Sequence, residues 1–167
     1  MDRRVERSAY CVDRLSDTQY ALQNSSKKNT LLIGYGNPLR GDDGVGWVMA
    51  ERLMGVEGIT AVSAHQLLPE LIDQIAEVDH VIFVDATVQG KPGDIGVREI
   101  FPDTMGLATS HGMEPVVLLA YVEQLYGRSL QAHLVTITGQ DFGYKENLSP
   151  LLAGKLKELQ EKIYALI

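Results

Sequence analysis

The chain is poor in cysteine, in basic residues and in long apolar runs. Only one of its 167 residues is cysteine, Cys11, which excludes an internal disulfide framework and any cysteine-rich zinc or iron–sulfur site. No apolar stretch approaches the roughly 20 residues of a membrane helix. Met1 to Arg7 are charged, and no apolar segment with a small-residue cleavage site follows, so no secretory signal is expected. Lys and Arg number 15 against 22 Asp and Glu, a net charge of -7. That balance argues against a general nucleic-acid binder and is otherwise ordinary for solubility. The expectation is a cytoplasmic protein in a reducing compartment, monomeric, with neither a nucleic acid nor a membrane as partner. An apolar share of 45% over this length is enough for one domain with its own core.

Residues 1–29 differ from the rest. They hold Cys11, show no clear strand and end in the polar stretch Asn24-Ser25-Ser26-Lys27-Lys28-Asn29. They read as an N-terminal extension, partly helical or disordered, ahead of a domain over 30–167.

In that domain strands and helices alternate. Thr30 to Tyr35 is an apolar run ending at a glycine-rich turn, and Asp43 to Gly55 carries Val45, Val48, Met49, Leu53 and Met54 at helical spacing. Ile59 to His65 reads as a second strand, and Pro69 to Glu77 as a helix with proline in its first turn. His80 to Asp85 is the most hydrophobic strand, Ile95 to Ile100 a fourth, and His133 to Thr138 a fifth. Between the last two lies a helix from Pro115 to Tyr126, stopped by Gly127. The closing helix, Leu148 to Ile167, has Ser149 as its cap and Pro150 behind it. The pattern predicts an α/β fold, with a mostly parallel sheet covered by helices on both faces. Ligands of such sheets sit beyond the carboxyl ends of the strands, where strand order switches.

The loop after the first strand, Gly34-Tyr35-Gly36-Asn37-Pro38-Leu39-Arg40-Gly41-Asp42-Asp43-Gly44-Val45-Gly46, invites a dinucleotide-binding reading. The third glycine of that fingerprint is replaced by Leu39, and no acid for a ribose ends the second strand. Asp42 and Asp43 would also repel a phosphate, so no organic cofactor is expected. The bland reading of the two acids is a helix cap and a favourable dipole contact. Asp85, ending the most apolar strand, could likewise be a cap or turn residue. His111, in Thr109-Ser110-His111-Gly112, could be a surface histidine. Together, Asp43, Asp85 and His111 each follow a strand and would converge on one end of the sheet. Two carboxylates and an imidazole suit a divalent first-row metal such as nickel, zinc or iron(II), with positions left open. His80 and His133 stand at the opposite strand ends and read as structural or surface residues. His65 either lines the cleft or serves as a core or cap residue.

The motif Gly34-x-Gly36-Asn37-Pro38-Leu39-Arg40-x-Asp42-Asp43-Gly44-x-Gly46 resembles the N-terminal signature of the [NiFe]-hydrogenase maturation endopeptidases. Val81-Ile82-Phe83-Val84-Asp85-Ala86, Ser110-His111 before a helix, and Leu148-Ser149-Pro150 follow in the family's order. The resemblance spans 30–167 and leaves residues 1–29 without a counterpart. It implies a three-layer α/β/α sandwich around a five-stranded twisted sheet. It also implies an enzyme that removes a C-terminal peptide from the hydrogenase large-subunit precursor once nickel is in place. By position, Asp43, Asp85 and His111 take the family's metal-binding and catalytic places, with nickel supplied by the substrate. His65-Gln66-Leu67 stands where some members have Asp-Gly-Gly or Asp-Gly-Thr. That variant is associated with proteases of bidirectional hydrogenases and would shape substrate choice. Lys145-Glu146-Asn147 is a minor departure before Leu-Ser-Pro.

The motifs support no Ser–His–Asp or Cys–His arrangement; Ser110 and His111, as neighbours on an extended segment, point apart. A water activated by a metal or by a carboxylate is the better nucleophile. Two other classes stay open: a non-catalytic metal-binding assembly chaperone, and a small-molecule hydrolase on the same kind of sheet. Leu67, Leu68 and Met113 are either core residues or an apolar rim for partner docking.

Overall fold

Residues 29–103 and 113–167 are described by this computed structural model. The expected extension, with Cys11, lies outside the described residues except for Asn29, and so do Ser110 and His111. The strands are β1 (Thr30–Tyr35), β2 (Ile59–Ala64), β3 (His80–Thr87), β4 (Ile95–Glu99) and β5 (Gln131–Thr138). The helices are α1 (Val45–Leu53), α2 (Leu71–Ala76), α3 (Pro115–Tyr126) and α4 (Pro150–Tyr164), with a 3-10 turn at Gly41–Gly44 before α1.

The strands form one sheet in the order β2-β1-β3-β5-β4. All neighbours run parallel except β4, which is antiparallel to β5 at the edge. Leu31, Ile33, Val81 and Phe83 point to one face, under α2 and α3, where Ile75, Leu118 and Val122 meet them. Leu32, Ile82 and Val84 point to the other, under α1 and α4, against Met49, Leu53, Leu159 and Ile163. Because both faces are covered, β1 and β3 are apolar at nearly every position instead of alternating. Each fully buried Leu, Ile or Phe in these layers contributes about 1.5–3 kcal/mol of transfer free energy. The expected five-stranded α/β/α sandwich is what forms.

Several boundaries move from the expectation. β3 runs two residues past Asp85, because Thr87 still pairs with Thr138 of β5; Asp85 therefore lies inside its strand, not at its end. Pro69 does not open α2. It sits in a preceding turn in which the Leu71 N–H donates to the Leu68 carbonyl, and the helix starts after Glu70. The Ser149 cap forms as expected, its hydroxyl accepting from the Leu152 N–H at 3.3 Å. His80 is fully buried, with its Nε2 at 2.8 Å from His133 Nδ1; the pair lies at the amino ends of β3 and β5, away from the site below.

Candidate active site

The order of strands turns at β1: the chain steps to β2 on one side, then crosses back to β3 on the other. A cleft of about 440 Å³ opens at the carboxyl ends there, lined by Tyr35, Gly36, Asp43, His65, Gln66, Leu67, Leu68, Pro69, Asp85 and Met113. The sheet topology thus brings Asp43 and Asp85 together. Leu67 is 4% exposed and belongs to the core, whereas Leu68 is 43% exposed at the rim. Met113, the third of that apolar group, is partly buried and packs against the core.

The glycines of the first loop serve packing. A Cβ on Gly34 would fall 1.9 Å from the Gly46 carbonyl oxygen, and one on Gly46 would fall 2.3 Å from that of Val84. The start of α1 is thereby laid directly on β1 and β3, which is a backbone approach and not a phosphate cradle. Gly36 has φ +131, and a Cβ there would fall 1.9 Å from the Asp43 carbonyl oxygen. That closeness lets the 3-10 turn fold back over the strand end. The Asn37 N–H donates to Asp43 Oδ2 at 2.9 Å, which orients the carboxylate at the cleft.

Asp42 and Asp43 have opposite fates. The Asp42 side chain is fully buried and caps no helix. Its Oδ2 accepts from the Gln140 and Asp141 N–H groups at 2.7 Å and 2.9 Å, and its Oδ1 from Ser149 N–H at 2.7 Å. Burial works against its charge, but these backbone donors prevail and hold its pKa below the ordinary value. Asp42 therefore anchors the first loop to the β5–α4 connection. Backbone bonds from Gly41 N–H to the Lys145 carbonyl and from Lys145 N–H to the Leu39 carbonyl join the same two segments.

Asp85 lies on the face of β3 that carries Val81 and Phe83, beside Tyr35 of β1. Burial pushes its carboxyl up to about 6; the Tyr35 hydroxyl and the Ala86 N–H donate to it and pull its pKa back, while the Asp43 charge pushes it further up. The Ala86 bond is 2.8 Å. Burial, then the facing Asp85 carboxylate, raise the Tyr35 phenol far above its usual value, so that it stays a hydroxyl donor. Tyr35 was missed at the sequence level. Its signal was the period-2 phase shared with Leu31 and Ile33, which puts it on the face of Asp85 in the adjacent strand. On the far wall, the His65 ring packs on Trp47 of α1 at 4.8 Å between centroids.

Asp43 and Asp85 offer oxygen donors in an open cleft, a set that fits a hard or borderline divalent cation. Among the described residues no three His, Cys, Asp or Glu side chains are grouped to hold a metal. The third expected member, His111, lies outside them. No helix among the described residues is long and apolar enough to cross a membrane.

The solved structures bear the sequence resemblance out: the fold is similar to that of hydrogenase maturation proteases. A [NiFe] hydrogenase maturation protease, HycI, from Thermococcus kodakarensis superposes with TM-score 0.65 at 26% identity, covering 83% of this chain and 92% of that one. The hydrogenase maturating endopeptidase HybD from E. coli gives TM-score 0.67 at 20% identity over 83% and 91%. A hydrogenase 3 maturation protease gives TM-score 0.54 at 23% identity over 83% and 88%. No family model and no curated protein matches the sequence.

Proposed function

We propose that this chain is an endopeptidase that removes a C-terminal peptide from the nickel-loaded large-subunit precursor of a [NiFe] hydrogenase. The observation that carries this reading is the pairing of Asp43 and Asp85 in a cleft at the strand-order switch, in a fold shared with HycI over 83% of the chain. The catalytic domain is residues 30–167, acting as a monomer in the cytoplasm.

Nickel belongs to the substrate. Asp43, Asp85 and His111 are the residues assigned to meet it, so that the metal positions the precursor instead of residing in the protease. The peptide bond is then cut by water. A carboxylate takes a proton from the water as its oxygen bonds to the scissile carbonyl carbon. The C–N bond breaks, and the proton passes to the leaving amine. Asp85 is assigned as the base, since it stands in the wall of the cleft close enough to Asp43 to feel its charge. The Tyr35 hydroxyl holds its orientation. His65-Gln66-Leu67, in the lining of the same cleft, is assigned to choosing the precursor, through the exposed His65 and Gln66 above the buried Leu67, and the bidirectional type of hydrogenase is the proposed source.

The test is direct. The protein is mixed with nickel-loaded precursor, and loss of the C-terminal peptide is followed by intact mass, then repeated with Asp43→Asn, Asp85→Asn and His111→Ala. Cleavage by the wild type and its loss in the variants is expected. Unchanged cleavage in all three removes the site assignment, and a stoichiometric complex without cleavage identifies an assembly chaperone instead. Equal rates on nickel-free and nickel-loaded precursor exclude the role given to the metal.

A further inference from the structure

A second cleft, of about 280 Å³, adjoins the first and is lined by Tyr35, Asp85, Arg98, Ile100, Met113, Glu114, Pro115, Val116 and Leu134. Tyr35, Asp85 and Met113 form the wall common to both clefts. A chain laid across Asp85 therefore enters through one cleft and leaves through the other. The two differ in charge. Asp43 lines only the first; Arg98 lines only the second and is the one permanently cationic side chain among the described residues of either.

Resting on the endopeptidase reading, we infer that the second cleft is the subsite for the peptide being removed, and that Arg98 selects a carboxylate-bearing residue or terminus within it. The polarity follows from electrostatics. The first cleft carries Asp43 and Asp85 with no Lys or Arg among its described residues, whereas in the second Arg98 offsets one of the two acids, Asp85 and Glu114. A metal cation in the precursor is drawn more strongly to the first, so the metal-bearing part lies there and the leaving segment in the second. In the second cleft Glu114 and Asp85 would repel an acidic peptide. Arg98 is the group that offsets them, and it forms no ion pair within the described residues. It stands on β4 opposite Leu134 of β5, on the sheet face that carries Ile100 and Leu134. It thus lines the cleft together with Ile100, Leu134 and Val116, an apolar surface suited to an aliphatic stem beside an acid group. Its charge is felt at Tyr35, whose pKa it lowers slightly against the larger upward effects of burial and Asp85.

The experiment measures cleavage of nickel-loaded precursor by wild type, Arg98→Lys, Arg98→Ala and Arg98→Glu. A synthetic peptide of the precursor's last residues serves as competitor, in native form and with its carboxylates amidated. Arg98 sits exposed on an edge strand, so its variants are expected to fold. For Arg98→Ala a rise in KM of about fivefold is expected, as one solvent-facing ion pair of up to ~1 kcal/mol implies. Arg98→Glu is expected to raise KM by more, and Arg98→Lys to restore most of the loss. The native peptide should inhibit the wild type and lose potency by a similar factor against Arg98→Ala, whereas the amidated peptide should inhibit both equally weakly. If the wild type cuts but Arg98→Glu has an unchanged KM, or amidation leaves inhibition intact, the subsite is refuted and the endopeptidase reading stands. If the wild type leaves the nickel-loaded precursor uncut, both fall.

Discussion

Replacing Asp42 by Asn tests the claim that the first loop is held by a buried carboxylate. Asp42 accepts three backbone N–H bonds, two at Oδ2 from Gln140 and Asp141 and one at Oδ1 from Ser149, at 2.7–2.9 Å. An asparagine has one acceptor oxygen. Its amide group must face either the Ser149 N–H or the Gln140–Asp141 pair, donor against donor, in a place closed to water. At about 1.5–3 kcal/mol for a hydrogen bond to a charged group, losing the single Ser149 bond and burying a misfit donor should cost about 3 kcal/mol. That is a large share of a domain stability of about 5–15 kcal/mol.

The assay is equilibrium urea unfolding at neutral pH, where the midpoint should fall while the m-value stays constant. The pH dependence supplies a second readout. Asp42 has a folded pKa below its ordinary 3.8, so its contribution is present above that unfolded value and is lost as pH falls through the folded one. The wild type should therefore lose stability below about pH 4 along a limb that Asp42→Asn lacks, after allowing for the other acids. A variant within about 0.5 kcal/mol of wild type, or one with the same acid limb, would refute the account of this carboxylate as an anchor.

Other outcomes follow from the same geometry. Gly36→Ala puts a Cβ against the Asp43 carbonyl, 1.9 Å away at φ +131, so both thermal stability and precursor cleavage should drop; wild-type cleavage would show the turn can move without consequence. Tyr35→Phe removes a donor to Asp85, and the Asp85 carboxyl, followed by NMR titration, should move above about 6. Asp43→Asn removes the neighbouring charge and should move it down; both shifts in one direction would contradict the assigned causes. Asp85→Asn should raise the unfolding temperature at neutral pH while abolishing cleavage. A folded pKa raised from 3.8 to about 6 makes this ionised carboxylate a destabilising group once pH rises through that window, a cost on the order of 1–3 kcal/mol, less whatever the amide loses in bonds.

Most of the architecture could be read from the sequence because both faces of the sheet are covered. Continuous apolar runs such as Val81 to Val84, set between helical periods, leave few other arrangements, and Pro115 with Gly127, or Ser149 with Pro150, mark helix ends by local chemistry. The errors fall where tertiary pairing overrides local signals. β3 continues past Asp85 because β5 offers partners up to Thr138, and Pro69 sits in a turn because Leu68 and Pro69 supply carbonyls to it. Asp43 and Asp85 were legible as residues of one cleft because both stand near the carboxyl ends of strands that meet at the switch. Arg98 and Tyr35 were not. Nothing local distinguishes an edge-strand arginine, and the value of Tyr35 comes from the neighbour that the β1–β3 register gives it.

The adjacent pair Asp42–Asp43 shows why charge alone misleads at a loop. At the sequence level the two share one bland explanation, a helix start. In the structure one tight turn sends them apart, Asp42 into a closed ring of backbone donors and Asp43 out to the cleft. The anchor and the cleft carboxylate are then parts of one device, because the turn that aims Asp43 is the turn that Asp42 ties down. β3 obeys a matching constraint. Residues 81, 83 and 85 share a face, so a one-residue slip would carry Asp85 to the α1 side and away from Tyr35. The hydrophobic core therefore fixes the aim of the carboxylate as well as the strand. Substitutions at Phe83 or Val81 that disturb that register should harm the site without touching it.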